Sequence, residues 1–134
     1  MTQATFISTA GEYLKAIIEV NCQRLTVMDE FSHFSADSLP KAGEPCEVEF
    51  SPYLDDDESW EDIFAGNPDK LILLEQIEGW CYRAFGKIIS VNPVVVDCGL
   101  LQVEGVVCST DTRLVGEYVA FTISRLGGYL RNTT

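Results

Sequence analysis

Positive charge is what this chain has least of. Nine Lys and Arg stand against 21 Asp and Glu, a formal net charge of -12 over 134 residues, and His33 is the only histidine. A chain this acidic repels phosphate at long range, which disfavours sequence-independent nucleic-acid binding. Long apolar runs are missing too. The longest, residues 71–74 and 93–96, fall far short of the roughly 20 residues that cross a bilayer, so no membrane association is expected. Residues 1–8 hold neither the basic segment nor the apolar segment of an export signal, and a cytoplasmic location is expected. The five cysteines (Cys22, Cys46, Cys81, Cys98, Cys108) are odd in number and contain no Cys-x-x-Cys, which argues against a disulfide framework or a zinc knuckle and for reduced, buried thiols.

Motifs that carry chemistry are equally scarce. With one histidine, neither a conventional zinc site nor a cysteine–histidine pair has its parts, and no Gly-x-Ser-x-Gly elbow occurs. The glycines of 86–88 and 97–100 lack the spacings that cradle phosphate and read as turns. Asp55, Asp56, Asp57 and Glu58 are consecutive, whereas a calcium loop places its ligands at alternate positions around a central glycine. No catalytic residue, metal ligand or cofactor is therefore assigned.

What the chain does have is apolar content, at 46% hydrophobic residues, and a strong β pattern. Residues 14–22 alternate apolar and polar, and the phase slips at residue 23, which predicts a turn or bulge near 21–23. Residues 32–45 read as a connecting loop. Cys46, Val48 and Phe50 alternate with Glu47, Glu49 and Ser51, the period of a strand with one wet face, which Pro52 is expected to end. A short helix near residues 58–65 should follow, capped at Asp57 or Ser59, with Trp60, Ile63 and Phe64 on one face and Trp60 mostly buried. Five further β segments lie at 71–77, 80–91, 94–98, 100–108 and 117–126. In the second of these Trp80 and Tyr82 share a face, opposite Arg83, Phe85 and Lys87, and core packing is the better reading than a base-stacking platform.

These elements predict a mainly β fold of six to eight strands in one compact domain over 1–134, a small curled sheet or barrel with one short helix. Gly127 and Gly128 are expected to release a polar tail at 127–134. A helix between the third and fourth strands resembles the OB-like element order, an architectural likeness without a shared motif.

The acidity is regional. Residues 29–62 hold twelve acids and one base, Lys41, and the other hundred residues are nearly balanced. Acidic residues around aromatic anchors suit a surface that docks a basic protein, since charge speeds encounter and an aromatic supplies desolvation energy. The expected docking residues are Glu47, Glu49, Tyr53, Asp55, Asp56, Asp57, Glu58, Glu61 and Asp62. The chain then reads as a binding module, of an inhibitor or immunity type, rather than an enzyme. Two alternatives stand beside it: an enzyme dependent on a small ligand or metal, with its pocket in a barrel mouth, and an OB-like nucleic-acid binder. Exposed strand edges would also permit a homodimer.

Overall fold

A computed structural model of the protein describes residues 2–30, 41–55 and 57–130. Among the described residues it is mainly β, with nine strands, one short helix and one 3-10 turn. Its contacts cluster into two units. The first comprises Met1–Tyr53, Glu78–Trp80 and Arg125–Thr134, and the second Leu54–Ile77 and Cys81–Ser124.

The first unit is a closed ring of five strands. β1 (Thr2–Thr9), β2 (Lys15–Val20) and β3 (Gln23–Asp29) form an antiparallel meander, β4 (Pro45–Leu54) pairs with the other edge of β1, and the end of β9 (Tyr118–Leu130) lies between β4 and β3. The β9–β3 pairing that closes the ring is parallel and joins Met28 to Gly127 and Asp29 to Gly128. Closure removes the free edges that a five-stranded sheet would otherwise expose. The predicted phase slip is a two-residue hairpin turn: Asn21 and Cys22 have φ of 50° and 66°, the left-handed pair that matches strand twist in a tight hairpin. Ala16, Ile18, Val20, Leu25, Val27 and Val48 fill the interior.

Three expectations need correction here. β1 was not anticipated, although Thr2, Thr5, Ile7 and Thr9 carry the β-branched bias of a strand. With it, the helix follows the fourth strand rather than the third, so the predicted helix position no longer supports the OB-like likeness. Pro52 does not end β4; its fixed φ suits an extended chain, and just past the strand the Asp55 N–H bonds the carbonyl of Thr122 at 3.1 Å. Gly127 and Gly128 do not release a tail. They are buried within β9, and a Cβ at Gly127 would stand 2.5 Å from Glu30 Oε1, so this glycine serves close packing rather than a turn. Residues 131–134, with His33 and most of the expected 32–45 loop, lie outside the described residues.

In the second unit the first part of β9 pairs with β6 (Cys81–Ser90), which continues to β7 (Val95–Asp97) and β8 (Gln102–Glu104), while β5 (Leu73–Glu78) also pairs with β6. Tyr82, Ala84, Gly86 and Ile88 alternate inward along β6, and Tyr82 is only 1% exposed, a core residue rather than a stacking platform. Gly86 is required by β7, since a Cβ there would lie 2.5 Å from the Asp97 carbonyl oxygen. Asn67, at 4% exposure, is a buried polar residue with its needs met: its amide donates to the carbonyls of Leu71 and Val119 and accepts from the Leu71 N–H.

The helix α1 (Trp60–Ala65) forms where predicted. Ser59 caps it, accepting from the Asp62 N–H at 3.2 Å, and Gly66 ends it against the Ala120 side chain. Its buried residue is Ile63. Trp60 is 50% exposed, a correction to the expectation that it packs inside, because a six-residue helix with Ile63 inward has too little surface to bury its first residue as well.

Candidate functional site

The acidic run lies just after β4, and its residues have separate fates. Asp55 turns the chain, its Oδ1 accepting from the Asp57 N–H at 2.9 Å, a local bond that short acidic side chains favour at turns. Asp55 and Asp57 are exposed, as are Glu61 and Asp62 in the first turn of α1, where carboxylates oppose the positive end of the helix. Asp56 lies outside the described residues.

Glu58 differs from its neighbours. Its side chain is only 15% exposed and its two oxygens have separate partners: Oε2 accepts from Arg83 Nη1 at 2.7 Å, and Oε1 accepts from the Thr122 N–H. The same Arg83 nitrogen donates to Thr122 Oγ1 at 3.1 Å. Arg83 and Thr122 are register partners on β6 and β9, so Glu58 clamps the two strands that flank it. Of the residues expected to meet a partner, this one is committed to its own fold. Sequence reasoning missed Arg83 and Thr122. The capping box fixes the helix cap one residue beyond Glu58, but no local pattern announces an arginine 25 positions on.

Beside this clamp lies a cleft of about 200 Å³, lined by Leu54, Asp55, Glu58, Trp60, Ile63, Gly105, Val106, Phe121 and Thr122. Its walls combine aliphatic and aromatic surface with carboxylate, and the half-exposed Trp60 ring stands 6.2 Å from that of Phe64. A second cavity of about 350 Å³ is lined by residues of 92–94, 105 and 107–110, including the exposed Cys108.

Every cation of the second unit has a local partner. Against twelve Asp and Glu the unit holds Lys70, Arg83, Lys87 and Arg113. Arg83 is held by Glu58, Arg113 is chelated by Asp111 at 2.8 Å, and Lys70 and Lys87 stand 6.0 and 5.9 Å from the centre of the Tyr118 ring. The bonds from the Arg113 side chain and backbone hold the Asp111 carboxyl below its usual range. Among the described residues, Asp55, Asp57, Glu61 and Asp62 have no ion pair.

The remaining expected residues belong to the first unit. Glu47 is half-buried and accepts from Gln3 Nε2 at 3.0 Å, and Glu49 is half-buried on the same strand. Tyr53 is 53% exposed, yet one face of its ring already carries the Arg125 guanidinium, 4.0 Å from the ring centre. Cysteine burial also departs from expectation. Cys98 alone is buried, its thiol pushed up to about 12 by burial and by the neighbouring Asp97 charge; Cys22 is exposed because it occupies a hairpin turn.

Among the described residues no group of three or more His, Cys, Asp or Glu is placed to hold a metal ion, and no helix is long and apolar enough to cross a membrane. Comparison with protein-family models, with curated proteins and with solved structures finds no match for this chain.

Proposed function

We propose that this protein is a cytoplasmic binding module that docks a basic protein through the start of α1, with Asp55, Asp57, Glu61 and Asp62 as its charged contacts and Trp60 as its apolar anchor. The observation that carries the reading is the charge balance of the second unit: twelve acids stand against four cations, Arg83 and Arg113 are already ion-paired, and these four carboxylates are exposed in the segment that holds the half-exposed Trp60. Uncompensated charge of one sign raises the encounter rate with the opposite sign and is screened by salt over roughly 10 Å, while a desolvated tryptophan supplies binding energy once contact is made. Glu58 belongs to the scaffold of this surface. Asp56 is part of it by sequence. Glu47, Glu49 and Tyr53 form a separate acidic and aromatic segment on β4, in the first unit. A basic nuclease, inhibited by having its active surface covered, is a partner of the right chemistry.

Capture from a native lysate tests the reading. The tagged protein should retain a basic protein at low salt and lose it as salt rises. A variant with Asp55→Asn, Asp57→Asn, Glu61→Gln and Asp62→Asn should retain none. An identical set of captured proteins with the variant would remove the proposal.

One observation favours a second reading, an OB-like nucleic-acid binder. The five-stranded ring closes through a parallel pairing of its third and last strands, an arrangement compatible with an OB-like barrel despite the displaced helix. Single-stranded DNA or RNA bound at low salt, with affinity falling steeply as salt rises, would support it, and no binding at low salt would dismiss it.

A further inference from the structure

We infer that the cleft beside Trp60 receives an arginine side chain of the docked partner. The inference rests on the acidic docking surface just proposed and names the group that enters it. Three parts of the cleft wall suit a guanidinium on separate grounds. The Trp60 indole lines the cleft and is half-exposed, which gives a planar cation aromatic surface to meet. Leu54 and Val106, both partly exposed, supply apolar surface beside the stem, with the buried Ile63 and Phe121 behind them. Asp55 supplies the charge: its Oδ1 is held by the Asp57 N–H, while among the described residues its Oδ2 has no donor.

Charge within the unit selects a cation. The other carboxylate of the cleft, Glu58, is already balanced by Arg83, so Asp55 is the acid left for an incoming group. Arg83 is held by Glu58 and Thr122 and is not a wall residue, so this cation does not fill the cleft from within. A Cβ built on Gly105 meets nothing within 4 Å, so this part of the wall is unobstructed. Arginine fits better than lysine because the wall offers a planar ring and one carboxylate oxygen. A forked planar cation uses both together, whereas an ammonium point charge uses mainly the oxygen.

Blocked arginine (N-acetyl-arginine methylamide) is the probe, with blocked citrulline as its neutral, similarly shaped counterpart and blocked lysine as the point charge. The readout is the pair of indole N–H signals from Trp60 and Trp80 in the ¹⁵N-labelled protein, assigned with Trp60→Phe. Arginine should shift the Trp60 signal saturably and leave Trp80 in place. Citrulline and lysine should bind at least about tenfold more weakly, a difference of about 1.4 kcal/mol. Asp55→Asn keeps an oxygen for the Asp57 N–H and removes the charge; it should weaken arginine by a similar factor with an unchanged far-ultraviolet spectrum. A Trp60 signal that stays still up to the solubility limit overturns the inference, and so does equal response to arginine, lysine and citrulline. Failure here is distinct from failure of the docking surface: if the four-amide variant loses its partner while arginine leaves Trp60 unmoved, the surface stands and the cleft assignment falls.

Discussion

Replacing Glu58 by alanine separates scaffold from docking surface within one acidic run. The substitution removes two charge-assisted hydrogen bonds, from Arg83 at 2.7 Å and from the Thr122 N–H, and leaves the 28% exposed Arg83 side chain without its carboxylate. Stripping one partner from a mostly buried, hydrogen-bonded ion pair costs more than the pair itself is worth, and the partial exposure of Arg83 discounts the largest values, so about 2–4 kcal/mol is expected. For a chain of this size that lowers the thermal midpoint by about 8–16 °C. Glu58→Gln keeps an acceptor for Thr122 and loses only the charge, for about half the effect. The neighbours Asp57→Asn and Glu61→Gln, exposed and without ion pairs, should stay within about 0.5 kcal/mol of the parent. Thermal melts followed by far-ultraviolet circular dichroism give the ranking. A Glu58→Ala protein within about 0.5 kcal/mol of the parent would show that Glu58 is one more solvated acid and would refute the clamp. The same logic keeps Glu58 out of any variant meant to test docking, because a destabilised scaffold would lose its partner for the wrong reason.

Other outcomes follow from particular contacts. Gly86→Ala forces a Cβ to within 2.5 Å of the Asp97 carbonyl oxygen and 2.6 Å of Val96 Cγ1, so urea unfolding should show a loss of about 2 kcal/mol or more; full stability would contradict the β6–β7 register. Ile63→Ala, at a position 4% exposed, should cost about 2–4 kcal/mol while Trp60→Ala costs under about 1, and the reverse order would place the tryptophan in the core. Iodoacetamide at mildly alkaline pH should label Cys22 and Cys108 first and Cys98 last, as read by peptide mass spectrometry. Because burial raises the Cys98 thiol from 9.0 to about 12, its contribution to stability is full below pH 9 and declines as pH rises toward 12. Melts between pH 8 and 11 should therefore fall more steeply for the parent than for Cys98→Ala, and equal slopes would count against that burial.

Much of the fold was legible because period and punctuation are local properties. The alternation along β6 and β9, the phase slip at Asn21 and Cys22, and the Ser59 cap all appear where residue spacing places them. Misreadings arose where a distant element decides a local outcome. Gly127 and Gly128 carry the signature of a chain release, but the parallel partner β3 holds both inside a strand and the Glu30 side chain makes Gly127 a close-packing residue. Trp60 has helical spacing with Ile63 and Phe64, yet helix length limits how much of that face is covered. The candidate site divides the same way. The exposure of Asp55, Asp57, Glu61 and Asp62 follows from a charged turn and a helix start, whereas the withdrawal of Glu58 depends on Arg83 and Thr122, which only strand pairing brings to it.

Carboxylate footprinting tests the docking surface most directly, since it reads each acid separately. The protein is treated with a carbodiimide and glycine ethyl ester alone and in complex with the basic protein it captures, and labelling is quantified residue by residue. Asp55, Asp57, Glu61 and Asp62 should label readily in the free protein and be protected together in the complex, with Glu58 labelling slowly in both. Unchanged labelling of those four in the complex, with protection elsewhere or nowhere, would contradict the account.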